Sequence, residues 1–506
     1  MQPLKFYPDT MEYLDLKNNA CIALSAIPEL DYATFRQQNI TLLSDENNHC
    51  VALFGYLSGE FLRLICGIAD DRTGTIHVSS STIIPEGELP SLTAGCPALH
   101  VFERELHENF GVRYSDHPWL KPVRFPQNAF TGAKIPDYPF YRIDSEELHE
   151  VGVGPIHAGI IKPGHFRFIC NGEQILHLEI QLGFQHRGIE KLFLEKENLL
   201  QRATLAENIA GDTVVGHTLA FVNLWESLCG FSTGRDLQFA RTLALELERI
   251  AVHTGDLSAL CTDIGYQLGS AVFGRLRTPI INFFQQWGGN RLAKGLIRTG
   301  KTNFPFIGEH ARKLSAILDA YESDFLEMAD KAFHLPTSLA RFEKTGIVTQ
   351  KQAAEIGAVG MAARASGLAR DIRASHPYDL YVELGHRPVV KHHGDVYSRI
   401  QVRKEEIIQS LAYVRRLLQE IPEAKPVQGI EKPLPDALAI SLTEGWRGEI
   451  CHCAVTGESG QLIHYKVTDP SLHNWLALAL AVRNNEISDF PICNKSFNLS
   501  YCGHDL

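Results

Sequence analysis

The chain has 506 residues, 44% of them hydrophobic and 21% charged, which is enough to bury large cores and to fill about two to four domains. Its 48 Lys+Arg against 59 Asp+Glu give a formal net charge of -11, which argues against nucleic acid or an anionic lipid surface as the main partner. The opening MQPLKFYP lacks a basic stretch followed by an apolar run, and no segment reaches the ~18 apolar residues of a membrane span. Neither a signal peptide nor a direct membrane span is therefore expected. The 11 cysteines are scattered without a Cys-x-x-Cys, the nearest pair being Cys451 and Cys453. Such a set reads as reduced thiols packed as small hydrophobes and gives no ligand set for an iron–sulfur cluster.

Residues 1–125 hold short β-rich runs, such as 50–57 and 61–68, among helical stretches, and read as a small α/β domain. A junction from Lys121 to Tyr141 carries Pro122, Pro126, Pro136 and Pro139, so it continues neither a helix nor a central strand. The expected organisation is a first domain over 1–125, a Pro- and aromatic-rich linker over 126–150, and a larger domain over 151–506. That larger domain opens with two strand-like runs, 164–170 and 174–180, joined by Asn171 and Gly172, a strong hairpin signal. Apolar residues at three- and four-residue spacing then predict helices around 189–230, 236–263, 308–334, 350–374 and 403–421, best buried as a bundle. Short strands return at 449–452 and 462–467, and a helix is predicted near 471–482. The fold class is α+β.

Two nucleotide motifs fail on context. Residues 295–302, GLIRTGKT, match the phosphate-loop pattern, but the preceding 285–290 is polar and turn-like and Pro305 interrupts the following helix. Gly152 and Gly154 lack the third glycine of a dinucleotide fingerprint, so direct NAD binding has no support.

Longer motifs carry a family resemblance. ERELHENFGV at 103–112 followed by HPWL at 117–120 resembles the 30-kilodalton-type peripheral-arm subunit of respiratory complex I, and GFQHRGIEK at 183–191 resembles its 49-kilodalton-type subunit. The second stretch is also similar to the large subunit of membrane-bound [NiFe] hydrogenases of the hydrogenase-4 and formate hydrogenlyase type. GPIH at 154–157, PGHFR at 163–167, GWRGE at 445–449 and CNKSFNLSY at 493–501 favour that hydrogenase-related branch. The resemblance covers nearly the whole chain as a fusion, and implies a hydrogenase-large-subunit-like helical domain with peripheral β-hairpins after the α/β domain.

ENIAGDT at 207–213 and SDFPIC at 488–493 resemble the two ligand motifs whose paired thiolates hold nickel and iron in the hydrogenases. The positions of those four thiolates fall on Ala210, Thr213, Phe490 and Cys493, and a methyl, an unactivated hydroxyl and a phenyl ring replace none of them. No Ni–Fe centre is therefore expected, and Cys493 reads as a packed thiol more readily than as a lone ligand. In complex I the corresponding subunit helps form a quinone cavity with a histidine on an N-terminal β-hairpin and a tyrosine in the helical region. Here His157 and His165 stand on the nearest loop, and no tyrosine lies around 208–212. Lys162 stands where many membrane-bound hydrogenases carry a glutamate, which exchanges an acid for a cation.

Each remaining candidate has a structural reading beside the functional one. His186 and Arg187 either orient a charged network under the former cavity or, for Arg187, pair with Glu190 or cap a helix. His217 is either a cavity group or a satisfied core histidine. Asp212 either carries protons or pairs with Arg447, or it serves the surface. Arg447 is similar to an arginine above the hydrogenase iron and is either a cavity-facing cation or a structural partner.

The expected function is a peripheral-arm subunit of a membrane-bound, complex-I-like oxidoreductase. It docks an iron–sulfur subunit of the complex I small-subunit type, beside a ferredoxin-like subunit and antiporter-like membrane subunits, on the cytoplasmic side of the plasma membrane. Its cofactors are expected to be none of its own, with quinone or another small acceptor in the cavity and iron–sulfur clusters in partners. The alternative is a non-catalytic adaptor with a collapsed cavity.

Overall fold

The computed structural model describes residues 11–506 apart from 86, 158–161, 426–428 and 431. The opening residues read above for a signal peptide lie outside the described residues.

In the first region the strands Asn48–Ser58, Phe61–Asp70 and Thr75–Ile83 form an antiparallel meander, edged by Leu14–Leu16 and by the parallel strand Glu29–Leu30. Successive side chains of a strand point to opposite faces. In Phe61–Asp70 this sends Leu62, Leu64, Cys66 and Ile68 into one core with Phe35, Phe102 and Leu106 of the helices Tyr32–Leu42 and His100–Phe110. Ile65 and Ala69 enter a second core shared with the rest of the molecule. Both faces of the sheet are therefore covered, which is why its strands read as apolar runs rather than as clean alternation.

The acids of the 103–112 motif are used structurally. Glu103 accepts from Ser91 Oγ at 2.6 Å and Leu92 N at 2.8 Å, Glu108 accepts from the backbone of Arg124 and Phe125, and Glu105 pairs with Lys466 at 2.8 Å. These bonds lash the proline-rich segment and the last sheet to one helix.

In the second region the hairpin His165–Asn171 and Gln174–Gln181 turns at Gly172, whose φ of 56° is the left-handed value such turns need. A bundle follows. Its axis is the helix Arg235–Asp263, flanked by Val214–Leu228, Gln267–Gly288, Gly308–His334 and Val396–Leu417. The strands Leu462–Thr468, Glu449–Thr456 and Ala437–Glu444 make a sheet whose fourth strand, Ala20–Ala23, comes from the opposite end of the chain. The helix Pro470–Ala481 follows, capped by Asp469, which accepts from Ser471 N at 2.7 Å.

The α+β class is as expected, with three local corrections. The predicted helix over 189–230 is three helices, Ile189–Glu195, Leu199–Ala206 and Val214–Leu228. The predicted helix over 350–374 is also three, Gln350–Glu355, Gly360–Ala365 and Ile372–Ser375, broken where glycines sit between them. Of the stretch read as turn-like at 285–290, residues 285–288 are instead the end of Gln267–Gly288, a helix that tolerates Pro279 inside it, and the turn begins only at Gly289. The phosphate-loop look-alike forms a small hairpin, Ile297–Arg298 with Lys301–Thr302, and Gly300 N donates at 2.7 Å to Glu226. A protein carboxylate thus occupies an amide that a phosphate loop would offer to its ligand.

Candidate functional site

The loop 207–213 joins the helices Leu199–Ala206 and Val214–Leu228, and the two positions that resemble ligand positions are sealed: Ala210 is 0% and Thr213 1% exposed. Thr213 does not cap the helix it precedes. The Glu248 carboxylate does so instead, accepting from Val215 N at 2.7 Å and Gly216 N at 3.2 Å. The Thr213 hydroxyl accepts from Arg447 at 3.0 Å.

Arg447 lies on the turn after the strand Ala437–Glu444 and is the hub of this side. Its guanidinium holds Asp212 bidentately at 2.6 and 2.7 Å, donates to Asn498 O at 2.5 Å, and stacks 4.0 Å from the Trp446 ring. Burial would raise the Asp212 pKa, but Arg447, with the charge of Lys162 adding, brings it down to about 2. Arg447 is 4% exposed while the Asp212 side chain is 40% exposed, so the pair is anchored on the cation and wet on the anion. Arg187 braces the same loop by donating to the carbonyls of Asn208 at 2.6 Å and Ile209 at 3.0 Å, and ties it to the C-terminal segment through Cys502 O at 3.0 Å. It does this in place of the Glu190 pairing read from sequence; Glu190 pairs with Lys466 at 3.1 Å.

The second ligand arm is apolar. Phe490 opens the helix Phe490–Phe497, and its ring meets Phe166 at 5.0 Å and Phe168 at 4.9 Å between centroids. Cys493, one turn on, is 0% exposed, and burial pushes its thiol up to about 12 against a partial pull from Arg399. A methyl group on Gly346 would stand 2.7 Å from its sulfur. The four positions thus offer one sulfur donor, and that one is protonated and walled in. This donor set does not fit a Ni–Fe thiolate centre, which needs four deprotonated sulfurs.

The other sequence candidates fall into separate places. His157 shares a hydrogen bond with Gly164 O at 2.9 Å and His165 one with Gly154 O at 3.0 Å, so both rings tie their own loop together. Lys162 donates to Cys502 Sγ at 2.9 Å, which brings it to the Arg187 side of the cluster. His186 hydrogen-bonds to Asp505 O at 2.7 Å and lines, with Arg187, Glu105, Glu108, Arg124 and Lys191, a cleft of about 560 Å³. Asp212 lines a different and smaller cavity of about 30 Å³ with Glu248 and Arg277. His217 is fully buried, 2.9 Å from Asp469 and 3.2 Å from His452, whose other nitrogen meets Tyr465 Oη at 2.7 Å.

Sequence reading missed Cys502, Glu248 and Asp469. Burial would raise the Cys502 thiol, but hydrogen bonds from Lys162 and Ser500 and the charges of Lys162 and Arg187 bring it below its ordinary value. Its partner Lys162 is 340 residues away, so no local spacing announces the pair. Asp469 carries a weak signal, an acid directly before Pro470, whereas Glu248, between Glu246 and Arg249 on one helix, carries none.

This fold and these motif positions define a class: the fused peripheral subunits of complex I and the large subunits of membrane-bound hydrogenases. Residues 37–140 match the family described as respiratory-chain NADH dehydrogenase, 30 Kd subunit, and residues 263–435 the family described as its 49 Kd subunit. The membrane-bound hydrogenase subunit alpha of Pyrococcus furiosus is 30% identical over 69% of this chain and 85% of its own length. The hydrogenase-4 component G of Escherichia coli is 26% identical over 82% of this chain and 75% of its own. An NADH-quinone oxidoreductase subunit of Phocaeicola vulgatus is 28% identical over 77% of this chain and 82% of its own. A chain of the archaeal membrane-bound sulfane sulfur reductase has the same fold, with a TM-score of 0.67 at 22% identity over 72% of this chain and 100% of that one. The chain belongs to this complex-I and membrane-bound-hydrogenase family, with its 30- and 49-kilodalton-type parts fused. Among the described residues no helix is long and apolar enough to cross a membrane.

Proposed function

We propose that this chain is a peripheral subunit of a membrane-bound, complex-I-like oxidoreductase, that it carries no Ni–Fe chemistry, and that it links an electron path to ion translocation. In this reading it docks an iron–sulfur subunit of the complex I small-subunit type, with a ferredoxin-like subunit and antiporter-like membrane subunits completing the assembly on the cytoplasmic face. Electrons pass to quinone or another small acceptor at the polar side of the former metal cradle. The observation that carries the reading is charge pairing in place of ligand chemistry at one loop: Arg447 grips Thr213, at one of the thiolate positions, and its neighbour Asp212, with Lys162 and Cys502 beside them. A fixed cation with a hydrated carboxylate can bind a polar headgroup and hold a proton beside it, which an apolar plug cannot.

A second reading, a structural adaptor with a collapsed cavity, is favoured by Phe490 filling the opposite arm against Phe166 and Phe168. Purification of the intact assembly decides between them. The first reading expects no stoichiometric nickel, no hydrogen evolution, and acceptor reduction that Arg447→Met abolishes while the assembly stays whole. Acceptor reduction indifferent to Arg447→Met supports the adaptor, and nickel bound one per chain sinks both.

A further inference from the structure

Seven charged side chains with no part in the site above meet inside the bundle. Glu246 and Arg249 come from the helix Arg235–Asp263, Glu406 from Val396–Leu417, Arg364 from Gly360–Ala365, Asp371 and Arg373 from the next short segment, and Glu444 from the end of the strand Ala437–Glu444. None of these side chains is more than 1% exposed. Three guanidiniums thus face four carboxylates. Arg364 alone faces three of them, Glu444 at 2.6 Å, Glu406 at 2.7 Å and Asp371 at 3.5 Å.

The remaining neighbours do not restore the balance. His253 sits 2.9 Å from Glu406 and His386 2.9 Å from Asp371, with Tyr413 Oη 2.9 Å from the other His386 nitrogen. Burial lowers the pKa of both histidines and keeps them neutral. Arg403, the next cation on Val396–Leu417, is committed to Asp256 at 3.1 Å. Tyr378, also against Glu444, only accepts from its backbone N–H at 3.0 Å. An unbalanced charge in a dry interior costs several kcal/mol, so such a cluster takes up a proton.

Hydrogen bonding selects the carboxyl. Glu246 accepts from Tyr381 Oη and from Ser410 Oγ at 2.5 Å, and Glu406 from Arg364 at 2.7 Å and His253 at 2.9 Å. Asp371 accepts from Arg373 at 2.7 and 3.0 Å and from His386 at 2.9 Å. Glu444 has one strong donor, Arg364, on Oε1, and only Ile372 N at 3.2 Å on Oε2. Its ionised form is the least supported of the four.

We propose that Glu444 is a proton-binding site, the carboxyl that holds and exchanges the one proton balancing this buried cluster. Burial, reinforced by Asp371 and opposed by Arg364 and Arg373, raises it to about 7. The site is tied mechanically to the candidate functional loop. Arg249, facing Glu406 at 3.4 Å, also donates to the carbonyls of Glu444 at 2.7 Å and Gly445 at 3.1 Å, at the root of the turn that carries Arg447. Resting on the subunit reading above, proton occupancy of Glu444 is then the means by which charge arriving at the Asp212–Arg447 side is answered inside the bundle.

Infrared titration of the purified full chain tests this, comparing wild type with Glu444→Gln. The wild type is expected to show a carboxylic-acid carbonyl band that converts to carboxylate across neutral pH, and Glu444→Gln to lack that band. Glu444→Asp is expected to regain it at a shifted midpoint. The buried Glu449, also raised to about 7, gives a separate band that Glu449→Gln removes and Glu444→Gln leaves. Spectra of wild type and Glu444→Gln that superimpose, or that differ only in carboxylate bands at every pH, overturn the proposal. Should Glu444→Gln not fold, Arg364→Gln reads the same site: loss of the cation must raise proton affinity about tenfold or more, a shift of about one pH unit. An unmoved midpoint there also overturns it. The titration follows protons on this chain alone, so its failure leaves the subunit assignment standing.

Discussion

The two segments that resemble the hydrogenase ligand motifs, 207–213 and 488–493, are built in opposite ways. The loop 207–213 is polar, with Arg447 bridging Asp212, Thr213 and Asn498 O, whereas at 490–493 Phe490 packs against two phenylalanines and burial raises the Cys493 thiol to about 12. The difference follows from what surrounds each position. The first arm lies beside a hydrated carboxylate and two further cations, Lys162 and Arg187, where a charged network can be solvated. In the second, Phe490 lies against Phe166 and Phe168 of the strand His165–Asn171, where an apolar ring leaves no buried polar group unpaired. The two motif positions thus carry different chemistry, each of a kind its neighbours can satisfy.

The sharpest way to break this contrast is Phe490→Ala. Phe490 is 9% exposed, and its loss should cost about 3–5 kcal/mol as a cavity in a ring cluster, read as a lower midpoint in denaturant melts. An unchanged midpoint would mean that the apolar arm is not packed as described. Next, Gly346→Ala forces a methyl to 2.7 Å from Cys493 Sγ and 3.0 Å from the Arg399 guanidinium at a φ of 65°, and should cost about 1–3 kcal/mol.

The polar arm should yield less. Asp212→Asn is expected to cost about 1 kcal/mol at neutral pH, because the carboxylate is 40% exposed and solvent screens the pair. Its pH window has a definite sign. With the folded pKa lowered from 3.8 to about 2, the pair stabilises above pH 3.8 and loses that contribution as pH falls towards 2. Acid-unfolding curves of wild type and Asp212→Asn should therefore converge at low pH and run parallel above it. The smallest effect on stability, and the cleanest chemical contrast, lies in the thiols. Brief alkylation of the native chain should spare Cys493, whose thiol is raised to about 12, and mark Cys502 first of the two, as mass mapping would show. Equal labelling would erase the proposed asymmetry.

Much of the architecture was legible because it is local. The Asn171 and Gly172 turn, the apolar spacing of Arg235–Asp263 and of Gly308–His334, and the strands at 449 and 462 all declare themselves within a few residues. The helix Gln267–Gly288 escaped notice because Pro279 and its glycines weaken the pattern that tertiary packing overrides. At the site, the sequence left the pairing of Asp212 with Arg447 as one alternative among several, which the geometry selects, while the dispersal of His157, His165, His186 and His217 into unrelated contacts carried no sequence signal.

By itself, the sequence determined the α+β class and the family motifs, including the four residues that align with the hydrogenase ligand motifs, since these depend on residue type and short spacing. Only the tertiary structure decided that Ala20–Ala23 completes a sheet with Ala437–Glu444, that Lys162 reaches Cys502, and that seven charges gather out of reach of water around Arg364. The reason is physical: a charged side chain looks alike in sequence whether it faces water or another ion, and only the long-range fold places the counter-ion that makes burial tolerable.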